Sequence, residues 1–415
     1  MIIDKDTTLE SRVYYLPDGL TIAAENITLD GNGAILIGRD RTGIGIKLEG
    51  QNHVTIRNLR ILEFRFGIWA KDCKALSVKN CTINATFELA PNEFFLNIWE
   101  KPNSIAGAGI LLWNASHALI AENNLQHQLY GLAAFHSKYL LVQDNIANYN
   151  SGAGFHIHET SESQFIGNYA DYCTRYEDRG ENTGHMGGDA AGFTIVSNSV
   201  RNVFRRNFAR LSGDGFLLAG LNPELEKVGC HNNLFEENDA SWAPNIAFEA
   251  TFSRGNIFRS NKANNCNYGF WLGFSTENKL EGNHMERNRQ AGIAAENATF
   301  IRVVGNNFLR NAHGILLWSK YIPNFIKAFP KNDTSYQWEI TANRFNSNEI
   351  ALRIAADQDH GLRPYRSAGT CPPPRDHYIR NNDFHHNFTA IELHSVMQTH
   401  IENNDTEGNL LDLVE

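Results

Sequence analysis

A glycine followed by alternating apolar residues returns every 22 or 23 residues along most of this chain, and that period limits what the chain can fold into. The motif reads Gly109-Ile-Leu-Leu-Trp, Gly131-Leu-Ala-Ala-Phe, Gly154-Phe-His-Ile-His and Gly192-Phe-Thr-Ile-Val. It continues as Gly215-Phe-Leu-Leu-Ala, Gly269-Phe-Trp-Leu-Gly, Gly292-Ile-Ala-Ala-Glu and Gly314-Ile-Leu-Leu-Trp. Earlier copies begin at Gly45 and Gly67, and degenerate ones are read from Asn245, Glu349 and Ala390. Each copy is one short strand, and two further apolar stretches, such as Val54-Thr-Ile and Ile301-Arg-Val-Val, precede the next glycine. Asparagines five apart punctuate the turns, as at Asn283/Asn288, Asn306/Asn311 and Asn343/Asn348. Asparagine tolerates left-handed backbone at a tight corner, and its amide can bond the next coil's amide in a ladder. Three short strands per coil predict an all-β, triangular parallel β-helix of about 12–13 coils. A leucine-rich solenoid would need its leucine spacing, and a propeller about 40 residues per blade.

A solenoid grows by adding coils, so 415 residues are expected to form one domain. Residues 1–43 would be a cap and first coil, 44–405 the coils, and 406–415 a tail. The opening Leu20-Thr-Ile-Ala-Ala-Glu-Asn-Ile-Thr-Leu-Asp-Gly-Asn-Gly and the Gly-[Ile/Phe]-x-[Leu/Ile] repeats resemble the pectin-lyase-like superfamily, specifically its bacterial short-repeat members. The resemblance covers residues 20–405 and implies a right-handed parallel β-helix. It leaves the activity open, because that superfamily holds lyases, hydrolases, epimerases and non-enzymes. Of the polygalacturonase signatures only Gly184-His185 echoes one, and the Asp-Pro-His-Asp of alginate epimerases is missing. Lyases of this fold neutralise a uronate with outward Lys or Arg, often with calcium. That leaves calcium as the one ion to consider, and no other cofactor or metal site is expected.

Several coils are too long. Excess residues fall near 86–106, 172–190, 221–229, 320–338 and 356–377, always beside the first strand of a coil. Insertions in a solenoid collect on turns around one binding face, so the first-strand sheet is the expected floor of a cleft. Strand alternation turns Phe155 and Ile157 inward and His156 and His158 outward. Repeated along the chain, it places Trp69, Trp113, Phe135, Trp271 and Trp318 outside, where a solvated sheet would carry Lys, Thr or Glu. Exposed aromatic rings along a groove suit stacking on sugars.

Carboxylates gather on the same face. Asp189 and Asp214 immediately precede or approach repeat glycines, and Glu249 follows on the next coil; this trio is the candidate catalytic set. Glu249 and Glu296 are read as sharing an outward column, with Gly273 leaving room between them, an arrangement suited to inverting glycoside hydrolysis. His156, His158, His185, Glu296, Trp113, Trp271, Trp318 and Arg353 are the candidate substrate-binding residues. The expected function is a carbohydrate-active enzyme, a glycoside hydrolase or glycosyl-transferring enzyme using carboxylate acid/base chemistry on an oligo- or polysaccharide. A polysaccharide lyase or epimerase with His158 or His185 as base is the alternative. A non-catalytic carbohydrate-binding β-helix is the reading from another class.

A net charge of −9 opposes nucleic acid as a partner, since that binding demands a basic face. No apolar run reaches membrane length, so no membrane partner is expected; a homo-oligomer is left open. Six cysteines without a Cys-x-x-Cys pair read as buried small side chains. The start Met-Ile-Ile-Asp-Lys-Asp has neither a basic nor an apolar leader segment, which reads as cytoplasmic; a secreted chain that had lost its leader would look the same.

Overall fold

Short strands with every second side chain apolar cannot bury that face alone, and here they do so by stacking coil upon coil. The computed structural model describes residues 1–90, 97–177, 185–186, 190–356 and 371–415, without the side chains of 176–177 and 185–186. Backbone contacts divide the chain into two compact units, Met1–Leu217 and Leu218–Glu415.

In the first unit the leading strands of successive coils pair in parallel and in chain order. They are Ile44–Glu49, Phe66–Lys71, Ala108–Trp113, Tyr130–Phe135, Ala153–His158 and Ala191–Val196. Three-residue second strands, among them Ser77–Lys79, Leu119–Ala121 and Leu141–Gln143, build a second parallel sheet. In the second unit the leading strands are Ile246–Thr251, Tyr268–Trp271, Ala291–Glu296, His313–Trp318, Ile350–Ala355 and Thr389–His394. Leu411–Val414 adds one more parallel strand within the stretch read as a tail. Each unit is a right-handed parallel β-helix, as expected.

The interior is a set of stacked rings. Phe193 lies between Phe155 and Phe216, with 4.7 Å between centroids on each side, and Phe165 stacks on Phe204 at 5.0 Å. In the second unit Phe248 stacks on Phe270, and Phe345 lies between Phe308 and Phe384. These rings, with Ile157, Ile195, Leu218 and Leu272, are fully buried, so the inward register read from the sequence holds. Coplanar phenylalanines one strand spacing apart keep van der Waals contact along the whole stack.

The corners divide their labour differently from the expectation. The buried asparagines do form ladders: Asn283 Oδ1 accepts the backbone N–H of Asn261, Asn306 that of Asn283 and Asn343 that of Asn306, at 2.8–2.9 Å. Yet these asparagines are not the left-handed residues. That conformation falls on the residue just before, as at Asp144, Glu237, Arg287, Arg310, Ala342 and Ser347. A left-handed L-residue costs roughly 1–2 kcal/mol. The buried amide that follows satisfies backbone groups in two coils and offsets that cost, so many side chains are tolerated at the strained position.

Two degenerate copies were read out of register. Phe248 pairs with Phe270 and Leu352 with Ile315, which makes Ala247 and Ala351 the glycine equivalents rather than Asn245 and Glu349. The insertion near 320–338 carries a short helix, Pro323–Ala328, with proline in its first turn; Phe325 and Phe329 pack on Phe252 at 5.0 and 5.2 Å. Among the described residues no helix is long and apolar enough to cross a membrane.

Candidate functional site

On the outer face of the second unit, the corrected register lines up two columns. One runs Glu249, Trp271, Ala294, Leu316, Arg353, Glu392. The other passes through Glu296, Trp318, Ala355 and His394, with Gly273 beside Glu296. Glu249 and Glu296 therefore do not share a column; two strand spacings and two residues separate them, about 12 Å between Cα positions. The side chain of Glu249 nevertheless leans toward the second column, where the Thr251 hydroxyl donates to its Oε1 at 3.2 Å.

Gly273 is the residue on which side chains of both columns converge. A methyl group placed on it would lie 3.2 Å from the Trp271 indole nitrogen, 3.5 Å from Glu296 Cγ and 3.7 Å from the Thr251 methyl. Glycine is needed here for space, not for backbone, since its φ is not left-handed. Glu249, Trp271 and Glu296 are all half-buried, so each keeps an accessible side. The arrangement joins two carboxylates and an indole around a buried glycine, components that can bind a sugar ring and move protons at a glycosidic oxygen.

Trp318, expected on an exposed aromatic strip, is instead 1% exposed. It packs with Ala291, Ala294 and Leu316, and Tyr268 and Trp271 close over that cluster. Arg353, expected to hold substrate, has its Nε 3.4 Å from Glu392 Oε1, and His394 Nε2 bonds the same oxygen. Its charge is thereby spent inside the sheet face.

On the outer face of the first unit the columns run Trp69, Leu111, Ala133, His156, Thr194 and Lys71, Trp113, Phe135, His158, Val196. Trp113 is half-buried, edge-on to Trp69 at 6.4 Å, with Lys71 Nζ 4.9 Å from its ring centre. Phe135, like Trp318, is buried and offers no stacking surface. His156 and His158 point outward as read but are only 1% and 5% exposed. Burial pushes the imidazole of His156 down to about 3 and that of His158 down to about 4, with a neighbouring histidine lowering each further. Both are therefore neutral at pH 7.

Asp214 opens a leading strand of the first unit and is 3% exposed; its N–H donates to the Ala190 carbonyl at 3.0 Å. Asp189 and the His185 side chain lie outside the described residues. Glu249 belongs to the second unit and Asp214 to the first. Two members of the outer faces escaped the sequence reading: Tyr130 and Tyr268, each directly before a repeat glycine. Tyr130 stacks on His156 with centroids 4.6 Å apart, and burial, with Glu100 nearby, holds its phenol far above the usual range. The signal was present, since small or aliphatic residues occupy most other copies of that position. Among the described residues no group of three or more His, Cys, Asp or Glu side chains could hold a metal ion.

Comparison with known proteins gives two family models that each match part of the chain. One, described as a right handed beta helix region, matches residues 108–227. The other, described as periplasmic copper-binding protein (NosD), matches residues 183–361. No curated protein matches. Among solved structures, the chain is similar to the periplasmic alginate epimerase AlgG, at 12% identity over 94% of this chain and 78% of that one, TM-score 0.41. It is also similar to the Azotobacter vinelandii mannuronan C-5 epimerase AlgE6 A-module, at 12% identity over 97% and 91%, TM-score 0.43. A third, the Dettilon tailspike protein, shows 12% identity over 83% and 58%, TM-score 0.37. The fold is the right-handed parallel β-helix.

Proposed function

We propose that the chain is a carbohydrate-active enzyme that hydrolyses a glycosidic bond on the outer face of its second unit, with Glu249 and Glu296 as the acid/base pair. The observation that carries this reading is the half-buried indole of Trp271 beside Gly273, with the half-buried carboxylates of Glu249 and Glu296 on the same face. Trp271 takes the apolar face of a sugar ring. Glu249, held by Thr251 as a hydrogen-bond acceptor, removes a proton from water as the water attacks the anomeric carbon. Glu296 gives its proton to the departing glycosidic oxygen. One water is consumed, one C–O bond is broken, and both carboxyl groups regain their starting state by proton exchange with solvent. The separation of the two backbones suits an inverting reaction, in which room for a water is kept between the carboxyl groups.

The test is a panel of neutral and acidic oligosaccharides incubated with the wild-type chain and with Glu249→Gln and Glu296→Gln. Each replacement keeps shape and removes proton chemistry, so turnover should fall about 10²–10⁴-fold. A product with an ultraviolet-absorbing double bond would indicate elimination and displace the hydrolytic reading. Full turnover in both variants would place the chemistry elsewhere.

A further inference from the structure

A cavity of about 420 Å³ opens on the second unit, away from the leading strands, lined by Phe300, Arg302, Gln337, Glu339, Tyr378 and Arg380. Its floor is three second strands, Arg302–Val304, Glu339–Thr341 and Tyr378–Arg380. They pair in parallel, with Arg302 opposite Glu339 and Glu339 opposite Tyr378. Val303, Ile340 and Ile379 are fully buried, so the residues on either side of each point outward. Two guanidiniums share one carboxylate here: Arg302 Nε donates to Glu339 Oε2 and Arg380 Nη2 to Glu339 Oε1, each at 2.8 Å. The Arg380 hydrogen bond above all, with Arg302 beside it, holds the Glu339 carboxyl below its usual range, so it is charged at pH 7. One positive charge of the lining is left over. Of the charges one coil away, Glu277 and Glu402 are exposed to screening solvent, while half-buried Lys279, in register with Arg302, adds to the positive side. Arg375 lies 3.7 Å from Asp376. The fold does not impose this ratio, since farther along the same sheet Arg259 alone serves Glu236 and Glu281, at 3.3 and 3.0 Å.

We propose that this cavity binds a small aromatic carboxylate, its carboxylate on the outer N–H groups of Arg302 and Arg380 and its ring against Phe300 and Tyr378. The two protein rings are 44% and 42% exposed, yet each is braced within the chain. Phe300 meets Tyr336 edge to face at 5.3 Å, and Tyr378 stacks on His400 at 4.9 Å. Rings held this way offer a fixed apolar border to a flat ligand. Each guanidinium has N–H groups beyond the one it gives to Glu339, and its planar fork matches a carboxylate in shape and charge. The single surplus charge suits a monoanion. A metal cation is repelled by it, and a phosphate dianion leaves half of its charge unmet. A sugar acid would also need partners for its ring hydroxyls, and Gln337 is the one neutral amide of the lining. The volume falls in the range of small-molecule sites. This cavity lies on another sheet than Glu249 and Glu296 and does not rest on the hydrolytic reading.

The experiment is calorimetry on the full chain at low salt, with benzoate, 4-hydroxybenzoate and cinnamate as probes and benzamide, phosphate and glucuronate as controls. At least one aromatic carboxylate should bind saturably at millimolar concentrations, and its affinity should fall as sodium chloride is raised. Benzamide, which keeps the ring and lacks the charge, should bind at least tenfold more weakly. Arg380→Gln and Phe300→Asn should each weaken the aromatic acid about tenfold or more. Both positions are exposed, and asparagine suits the left-handed backbone of Phe300, so melting temperatures should stay near that of the wild type. Should one variant fail to fold, the other keeps the test decisive. Glycoside turnover should be unchanged in both, which separates failure here from failure of the hydrolytic proposal. Absence of saturable binding by all three aromatic acids overturns the proposal. So does benzamide binding as tightly, a preference for glucuronate or phosphate, or binding that either folded variant leaves unchanged.

Discussion

The indole of Trp271 meets that of Trp318 edge to face, with 5.5 Å between ring centroids and 68° between planes. Trp318 is buried against Ala291, Ala294 and Leu316, while Tyr268 braces Trp271 from another side at 5.0 Å. The half-buried ring is therefore held at a fixed angle beside Gly273 instead of swinging in solvent. This arrangement couples binding to stability. Trp271→Ala should lower unfolding free energy by about 2 kcal/mol, below the 3–5 kcal/mol typical of a fully buried aromatic. It should also weaken oligosaccharide binding at least tenfold. Trp318→Ala should cost more stability, and its effect on binding should arise only through the displaced Trp271. Paired denaturation curves and titrations of the two variants check this, and equal stability losses would contradict the layered arrangement.

The asparagine ladders carry a second expectation. Asn306 Oδ1 accepts the N–H of Asn283 at 2.8 Å, and its Nδ2 donates to the Leu280 carbonyl at 2.8 Å. Leucine matches the asparagine in volume but leaves both backbone groups buried and unpaired. Asn306→Leu should therefore cost about 2–5 kcal/mol, the sum of two unmade bonds in a dry corner. Asn103→Leu, at an exposed position, should change stability by less than about 0.5 kcal/mol. Urea unfolding of both variants provides the comparison.

Much of this architecture could be read from the residues alone, and the reasons are physical. A glycine-anchored strand repeated at one period allows few shapes, and its alternation dictates which side chains enter the stack. Phe155, Phe193, Phe216, Phe248 and Phe270 were legible for that reason. Register failed at two of the three copies whose glycine was replaced: with Ala247 and Ala351 as the true equivalents, Glu249 moved opposite Trp271 and Arg353 moved opposite Leu316, while the copy read from Ala390 held. Outward did not mean exposed, because neighbouring rings pack on Phe135, His156 and Trp318. No local pattern reports that covering. The left-handed corners were assigned to asparagine by propensity, whereas the ladder's energy lets Arg310 or Glu237 take them.

Acid should destabilise the second unit through His377. This residue is fully buried, neither ring nitrogen has a hydrogen-bond partner, and burial, with Arg375 nearby, pushes its imidazole down to about 3. In the unfolded chain the same group titrates near 6.5. Above about 6.5 both states hold it neutral and stability is complete. Below that value the unfolded chain binds a proton that the folded chain refuses, so stability falls as pH falls toward 3. One such group contributes a slope of up to about 1.4 kcal/mol per pH unit. His377→Phe should remove that share of the acid sensitivity, narrowing the pH 7 to pH 5 difference by about 2 kcal/mol. Unfolding curves at pH 7, 6 and 5 decide the matter, and parallel profiles for the two proteins would show that His377 is already protonated when folded.

Gly273 gives the most direct probe of where a substrate is seated. Its φ lies outside the left-handed region, so a side chain there brings no backbone strain. A methyl group would touch the Trp271 nitrogen at 3.2 Å and Glu296 Cγ at 3.5 Å, contacts that a half-buried indole and a glutamate side chain can relieve by shifting a few tenths of an ångström. Gly273→Ala should therefore change stability by less than about 1 kcal/mol, while Gly273→Val adds two further methyl groups beside Trp271 and Glu296. If a sugar ring occupies that space, turnover should drop at least tenfold with alanine and further with valine. The loss should appear chiefly in KM for alanine, because Glu249 and Glu296 stay in place, and in both kcat and KM for valine, whose bulk displaces the reacting bond. Melting temperatures measured beside the kinetics separate blockage from unfolding. A folded Gly273→Val variant with wild-type kcat/KM would mean that no substrate is seated against Gly273, and that the two glutamates face an empty part of the sheet.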